Sequence, residues 1–362
     1  LLTRNRFSKN NSCLIKYKIL TLAVLNNYSM KFKTNGRIRI IVILMIFSFA
    51  IISCKNQERK EQDKPNAATS ENIEQKATFF KLSLAQWSLH KAIRDEKTHD
   101  PLNFAQKAKE LGFEGVEYVS QLYDEHIKSI GLDSVLTILK ANSETYGVQN
   151  VLIMVDGEGS LASTDVNERN KTIENHYKWV EAANYLGCHS IRVNAHGEGS
   201  SEEVAEAAVD GLSKLSAYAE NFGINILVEN HGGYTSSGSW LADVMKRVGM
   251  ANCGTLPDFG NFCQTIGYGS INDENCKDPY DIYKGLEELM PYAKAVSAKS
   301  YDFDPDGNQP KIDYLKMIKI VKDAGYTGFI GVEYEGNNVS ELEGIELTKN
   351  LLLNVESELS KE

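Results

Sequence analysis

The sequence is short of positive charge where a polyanion would need it. It has 39 Lys and Arg against 49 Asp and Glu over 362 residues. Nine of those basic residues fall in residues 1–53, which hold no acid at all, so the rest of the chain carries a net charge of −19. A body this acidic argues against binding nucleic acid by phosphate neutralisation and leaves small neutral ligands open. Paired cysteines at CxxC spacing are also missing. Cys188, Cys253, Cys263 and Cys276 are widely spaced, which excludes a Cys-rich zinc site and reads as buried free thiols. The apolar run Ile40–Ile52 has thirteen residues, broken only by Ser48 and Ala50, short of the roughly 20 that a spanning helix needs. With 42% hydrophobic and 24% charged residues, the proportions are those of a globular protein, not of a disordered chain or a polytopic membrane protein.

That apolar run follows Lys31, Lys33, Arg37 and Arg39. A basic stretch before a run this short reads as a secretory signal, with a single transmembrane anchor as the alternative. Ile51-Ile52-Ser53-Cys54 closes it and resembles a bacterial lipoprotein lipobox, which implies that Cys54 is lipidated and becomes the new N-terminus. Met30 sits where such a signal should begin. Residues 1–29 then read as an over-extended start, 30–53 as signal and 54–77 as a tether. The tether is rich in Lys, Glu, Gln and Asn, with Ile73 its only large aliphatic residue. It has nothing to bury and reads as flexible. The expected location is outside the inner membrane, anchored by lipid alone; an exported compartment would permit a disulfide.

Residues 78–362 form the expected domain. Strand-length apolar runs alternate with helical stretches, giving eight candidate strands: Lys81–Leu89, Gly115–Val119, Val151–Val155, Ser190–Asn194, Asn225–Glu229, Gly254–Asp258, Ala295–Lys299 and Phe329–Glu333. Helix signals punctuate them. Asp100-Pro101 offers an N-cap and a first-turn proline, Gly112 a stop, and Ser200 with Glu203 a capping box. Eight β units over this length predict an α/β fold of the (β/α)8 TIM barrel type. A doubly wound open sheet is the runner-up, but the first strand ends Gln86-Trp87-Ser88-Leu89-His90, without the Gly-rich phosphate loop of that fold.

In a barrel the site lies where strands end at their carboxyl termini. Polar residues gather there: Glu117, then Arg192, Asn194 and His196, then Glu229 and His231, Asp258, Ser297 and Lys299, and Glu333 with Glu335. A strand covered on both faces should be apolar throughout, so carboxylates closing such runs need a reason. A shared divalent cation is one, with Glu229, Asp258 and Glu333 as hard oxygen ligands for Mg or Mn; a His would extend the choice to Co or Zn. Solvated loop-edge acids, or partners of Arg192 and Lys299, are the other. His231 and His196 read as substrate contacts. Trp87 offers a sugar-stacking face or fills the core. His90, His99, His126, His176 and His189 carry no supporting pattern and read as ordinary surface or loop histidines. Asp156-Gly157-Glu158-Gly159 has only a faint calcium-loop spacing and reads as a flexible loop at the mouth.

The ordered set of Glu229 in Val-Glu-Asn-His-Gly-Gly, Asp258 in Leu-Pro-Asp-Phe-Gly-Asn and Glu333 in Gly-Val-Glu-Tyr-Glu-Gly resembles the sugar phosphate isomerase/epimerase family, the xylose isomerase-like barrels. The resemblance covers residues 79–358. It implies that these three acids hold a divalent metal and that a glutamate, Glu229 or Glu333, moves a proton beside a carbonyl. Lys299 and His231 would orient the substrate or steady its oxyanion, with Trp87, Glu117, Arg192, Asn194 and His196 as substrate contacts. Many members carry His-x-Lys-Asp on strand seven, whereas this chain reads Ser297-Ala298-Lys299-Ser300. The resemblance then implies three carboxylates plus water, a substrate-facing Lys299, or a weak site. The implied activity is isomerisation, epimerisation or elimination on a non-phosphorylated sugar, keto-sugar or oxidised glycoside. The alternative is a non-catalytic sugar-binding lipoprotein. Related DNA repair barrels need a His-rich zinc site and a basic groove, which the missing strand-seven His and the acidic body oppose. No nucleic-acid partner is expected, and the oligomeric state is left open.

Lipid anchoring is tested by Cys54→Ala. Each acyl chain contributes ~0.8 kcal/mol per buried CH₂, so the variant is expected to leave the membrane fraction or to stall in processing. Wild-type protein found wholly in the cytoplasm, with residues 30–53 intact, would contradict the anchor.

Overall fold

A computed structural model describes residues 78–361. The expected signal, Cys54 and the tether lie outside the described residues, among which no helix is long and apolar enough to cross a membrane. Eight strands follow in the expected order: β1 (Lys81–Ala85), β2 (Gly115–Val119), β3 (Gln149–Met154), β4 (Ser190–Val193), β5 (Asn225–Glu229), β6 (Cys253–Leu256), β7 (Val296–Ser300) and β8 (Phe329–Tyr334). All pair parallel, in the order β6-β5-β4-β3-β2-β1-β8-β7. The seam between β6 and β7 is closed by parallel bridges from Thr255 to Ala293 and from Asp258 to Ser297. There the Ser297 N–H donates to Pro257 O (2.9 Å) and the Phe259 N–H to Ser297 O (3.1 Å). The result is the expected (β/α)8 barrel, and its last seam runs through two of the residues singled out as site positions.

The outer helices are α1 (Phe104–Glu110), α2 (Asp124–Ile130), α3 (Leu132–Tyr146), α4 (Val166–Leu186), α5 (Ser201–Glu220), α6 (Gly238–Val248), α7 (Ile282–Leu289), α8 (Tyr314–Asp323) and α9 (Glu341–Leu359). Their starts are written in side chains that satisfy otherwise orphaned amides, each worth about 1 kcal/mol. Asp165, Asp281, Asp313 and Ser340 cap α4, α7, α8 and α9, and the Ser200–Glu203 capping box at α5 is complete. Asp100 accepts from Leu102 N at the short turn leading into α1. Buried apolar side chains of the strands meet the inner faces of these helices, Leu82 and Ile330 on the strands and Val204, Leu212 and Ile345 on the helices among them.

Three expectations are corrected. The first strand stops at Ala85, and Gln86–Leu89 turn as a 3₁₀ segment. The buried Gln86 amide causes this: it accepts from Val119 N (2.9 Å) and donates to Tyr123 OH (2.7 Å), which a continuing strand would not allow. Cys188 and Cys253 are free buried thiols as expected, but Cys263 and Cys276 form a disulfide. The chain between them folds back, with Cys263 N donating to Gly269 O (2.7 Å) and Cys263 bridging Pro279. His176 is not a surface residue; it is buried on the inner side of α4.

Within the barrel, Glu117 reaches its position through an irregular register between β2 and β3 at Val116/Glu117, the kind of bulge that re-aims a side chain. It is 1% exposed and accepts from Ser83 Oγ on β1 (2.5 Å). Gly331 on β8 leaves the room: a Cβ there would lie 2.6 and 2.7 Å from the two Glu117 carboxylate oxygens. Gly331→Ala is therefore expected to cost about 1–3 kcal/mol by overpacking, read as a lowered melting temperature. Glu117→Ala in the same molecule should recover much of that loss, since contacting sites couple. Strictly additive losses in the double variant would contradict the packing account.

Candidate active site

The carboxyl ends of the strands open into a cavity of about 1050 Å³ whose lining includes Trp87, Arg192, Asn194, His196, Glu229, His231 and Glu333. Seven residues from four strand ends, all expected from the sequence, thus meet at one place. Asp258 and Lys299 lie just beneath, 0% and 2% exposed. Glu117 does not line the cavity; it sits lower, inside the barrel.

Two buried cations organise this floor. Arg192 on β4 holds Asp156 through Nη1 (2.7 Å) and Glu229 through Nε (2.9 Å). Asn194 adds a bond to Asp156 (2.7 Å), and Asn261 donates to Glu229 Oε1 (3.0 Å). Lys299 on β7 places its ammonium 3.0 Å from Glu333, 3.2 Å from Glu335 and 3.9 Å from Asp258. Ser297 donates to the other Glu333 oxygen (3.4 Å). One Asp258 oxygen accepts from Gly260 N (2.8 Å), while Oδ2 is buried without a hydrogen-bond partner.

Six carboxyls, from Glu117, Asp156, Glu229, Asp258, Glu333 and Glu335, gather around these two buried cations. Buried like charges raise one another's pKa, and a close cation opposes the rise. Burial lifts Glu229 to about 8, against Arg192 and reinforced by Asp258 and Glu333. Burial likewise lifts Asp258 to about 7 in spite of Lys299, and Glu117 to about 7 in spite of Ser83. For Asp156 the burial effect is outweighed by the charge and hydrogen bonds of Arg192, so its carboxyl stays below the usual range. Glu335 is held low against burial by Lys299. Lys299 itself, despite burial, is pushed well above the ordinary lysine value by its acids. His231 is driven well below the ordinary histidine value, first by burial and then by Arg192 and Lys299, and is a neutral imidazole at pH 7. Its Nδ1 is buried without a hydrogen-bond partner.

These residues fit a hard divalent cation in charge and donor type: carboxylates exceed bases, and the Asp258 oxygen is an unused acceptor. Among the described residues no three Asp, Glu, His or Cys side chains stand around one point at coordination spacing, with Glu229 drawn to Arg192 and Glu333 to Lys299.

Sequence reasoning passed over several residues. Asp156, expected in a flexible loop, is the anchor of Arg192. Asn261 stands three residues beyond Asp258 and touches both Glu229 and Lys299 (3.3 Å). His90 is no surface residue of convenience: it lines the cavity and stacks under Trp87, centroids 4.5 Å apart. Asp156 had a signal in the sequence, as the first residue past an apolar strand, in the position type already noted for Glu229 and Asp258. Tyr268, on the disulfide-closed loop, had none.

A family model described as the xylose isomerase-like TIM barrel matches residues 105–352. Over 55 residues the chain is 34% identical to the C-glycoside deglycosidase alpha subunit of Arthrobacter globiformis, a stretch that covers 15% of this chain and only 16% of that protein. The 3-keto-D-glucoside 4-epimerase of E. coli superposes with a TM-score of 0.58 at 14% identity, over 76% of this chain and 99% of that one. A xylose isomerase-like barrel from Mycobacterium smegmatis, solved with magnesium, superposes with a TM-score of 0.56 at 16% identity, over 77% of this chain and 97% of the other.

The raised carboxyls set a pH dependence. Glu229, at about 8, and Asp258 and Glu117, at about 7, bind protons more tightly folded than unfolded. Stability should therefore fall as pH rises from about 4.5 through these values. Chelator-treated protein is expected to melt lower at pH 8 than at pH 5.5, and added Mg²⁺ or Mn²⁺ to narrow the gap by binding the folded state. A melting temperature that rises over this interval would contradict the charge assignment.

Proposed function

The chain belongs to the xylose isomerase-like TIM barrel family, and from that premise we propose that it is a divalent-metal-dependent carbohydrate isomerase, epimerase or lyase. Its substrate would be a non-phosphorylated sugar, keto-sugar or oxidised glycoside. The observation that carries this reading is the surplus of buried carboxylates at the cavity floor. Two of them, Glu229 and Glu333, line the cavity from strands three apart around the barrel. The solved barrels that superpose on this one include a sugar epimerase, and the short match to a deglycosidase subunit supports a glycoside substrate.

In this reading Glu229 or Glu333 takes the proton from the carbon beside the substrate carbonyl. The C–H electrons move into the new C–C double bond, and the carbonyl pair moves onto oxygen. Return of a proton to the opposite face epimerises that carbon; return to the former carbonyl carbon, while the hydroxyl of the first carbon gives its proton to the former carbonyl oxygen and becomes the new carbonyl, isomerises the sugar. If the β carbon carries a leaving group, that bond breaks instead, and the group departs with its electron pair and later takes a proton. A carboxyl lifted toward neutrality, as Glu229 is, is suited to both directions of proton transfer. Neutral His231 donates or accepts one hydrogen bond at the substrate oxygens. Arg192, with Asn194 and His196 beside it, binds hydroxyls and faces the developing oxyanion, where fixed donors act most strongly. Lys299, out of reach of the cavity, positions Glu333 and Glu335. Bound by Glu229, Asp258 and Glu333, with water where Ser297 replaces the strand-seven histidine, a cation (Mn, Mg, Co or Zn) would polarise the carbonyl.

We also propose that the protein works outside the inner membrane, anchored through Cys54. The Cys263–Cys276 disulfide supports this, because such bonds persist in oxidising compartments. One observation favours the second reading, a non-catalytic sugar-binding lipoprotein: the Lys299 ammonium lies within 4 Å of two of the three ligand carboxylates and itself compensates their charge.

Glu229→Gln and Glu333→Gln keep shape and remove the base. Turnover of a keto-sugar or keto-glycoside is expected to fall roughly 10²–10⁴-fold in protein whose metal content is measured alongside. One carbon-bound hydrogen should exchange with solvent deuterium during wild-type turnover. Metal-loaded Gln variants with full activity would overturn the assignment. Wild-type protein that binds sugar but neither metal nor deuterium would favour the binding reading.

A further inference from the structure

The cavity is larger than its reactive floor requires. At about 1050 Å³ it stands at the upper end of the about 300–1,000 Å³ usual for ligand pockets, and one sugar ring over the floor leaves space toward the mouth. The floor is charged, whereas the mouth carries aromatic rings. Tyr268 lines it at 73% exposure, the highest among the exposed large hydrophobic residues of the described chain. Trp87 lines it too, stacked on His90 and with the Arg94 guanidinium 5.5 Å from its ring.

Tyr268 is exposed but held in place. Its loop is closed by the Cys263–Cys276 disulfide and by hydrogen bonds from Cys263 N to Gly269 O (2.7 Å) and from Gly269 N to Ile266 O (3.0 Å). The flanking glycines press it onto the turn that follows β5. Neither Gly232 nor Gly269 could carry a Cβ, since one at Gly232 would meet Gly267 C at 2.6 Å and one at Gly269 would meet Gly232 N at 2.6 Å. That turn carries His231. The rings of His196 and His231 lie 5.9 Å apart and nearly parallel, and the Tyr268 ring follows at 5.5 Å. A row of three rings thus climbs from the floor to the mouth, with Ile266 of the same loop adding apolar lining. A large ring carried on a clamped loop is suited to contact, because a Tyr side chain has few rotatable bonds and little entropy is lost when a flat group covers it.

We propose that this mouth is a subsite for an aromatic aglycone, so that the substrate is an aryl glycoside whose sugar lies over the carboxylate floor and whose planar aglycone stacks on Tyr268, with Trp87 completing the rim. This rests on the carbohydrate reading above and names the substrate class within it. Lys91, Arg94 and Asp273 also line the cavity, and among these polar groups Tyr268 and Ile266 on the clamped loop offer the apolar face against which a planar aryl group would lie.

The test is equilibrium binding to the whole protein by calorimetry, with p-nitrophenyl β-glucoside, methyl β-glucoside and cellobiose as probes that need no turnover. An aromatic pair is worth roughly three- to tenfold in affinity. The aryl glucoside is expected to bind tighter than the methyl glucoside by about that factor. Tyr268→Ala should remove the advantage without changing methyl glucoside binding, and Tyr268→Phe should keep it. Equal binding of aryl and methyl glucosides, no binding of either, or a Tyr268→Ala loss shared by both would overturn the subsite. So would a gain shown by cellobiose and not by the aryl probe, which would make the rim a sugar platform. The catalytic reading fails separately: an aryl preference that depends on Tyr268, in protein that exchanges no deuterium, would leave the subsite standing without the chemistry.

Discussion

Everything at the open end of this barrel answers to one constraint: more negative charge is buried there than the chain's own cations neutralise. Arg192 and Lys299 each gather carboxylates from neighbouring strands, and each is kept protonated by them. The balance stays incomplete, so Glu229 and Asp258 are pushed toward neutrality and one Asp258 oxygen is left without a hydrogen bond. A barrel of buried strands could satisfy its backbone with apolar side chains alone. Carboxylates retained there oppose folding stability, and a ligand that needs them gives their presence a physical reason.

The scaffold is shaped around that constraint. The β6–β7 seam closes through Asp258 and Ser297 themselves, so the last closure of the sheet and the placement of a site carboxylate are one event. Asn230 locks the same point, donating to Asp258 O (3.0 Å) and accepting from Asp258 N (2.7 Å). Deeper in the barrel, Gly331 gives up a side chain so that Glu117 fits. Ser297 and Lys299 hold the two oxygens of Glu333 from the same strand, at 3.4 and 3.0 Å.

From floor to mouth the chemistry changes from charge to rings. Trp87 connects the two: it lines the cavity beside Glu335, which is itself tied to Lys299. On the other side Tyr268 reaches the same opening from a loop held by a disulfide, by glycine packing and by the antiparallel bridge of Cys263 with Pro279.

The sequence by itself determined the eight-strand alternation, the helix caps and the strand-end residues that line the cavity. These are local facts: a period of two, a capping side chain within three residues, a polar group closing an apolar run. Val-Glu at 228–229 and Pro-Asp at 257–258 are legible because an acid that ends a buried strand is anomalous wherever the strand lies. Only the tertiary structure decided which partners those acids meet. It joined Arg192 to Asp156 across 36 positions, brought His90 under Trp87 at the rim, sank Glu117 below the cavity, and paired Cys263 with Cys276. The physical reason is that ion pairs, ring stacking and disulfides depend on distances of a few ångströms between side chains. In a closed barrel those distances are set by strand order, register and loop return, and no local pattern in the chain encodes them.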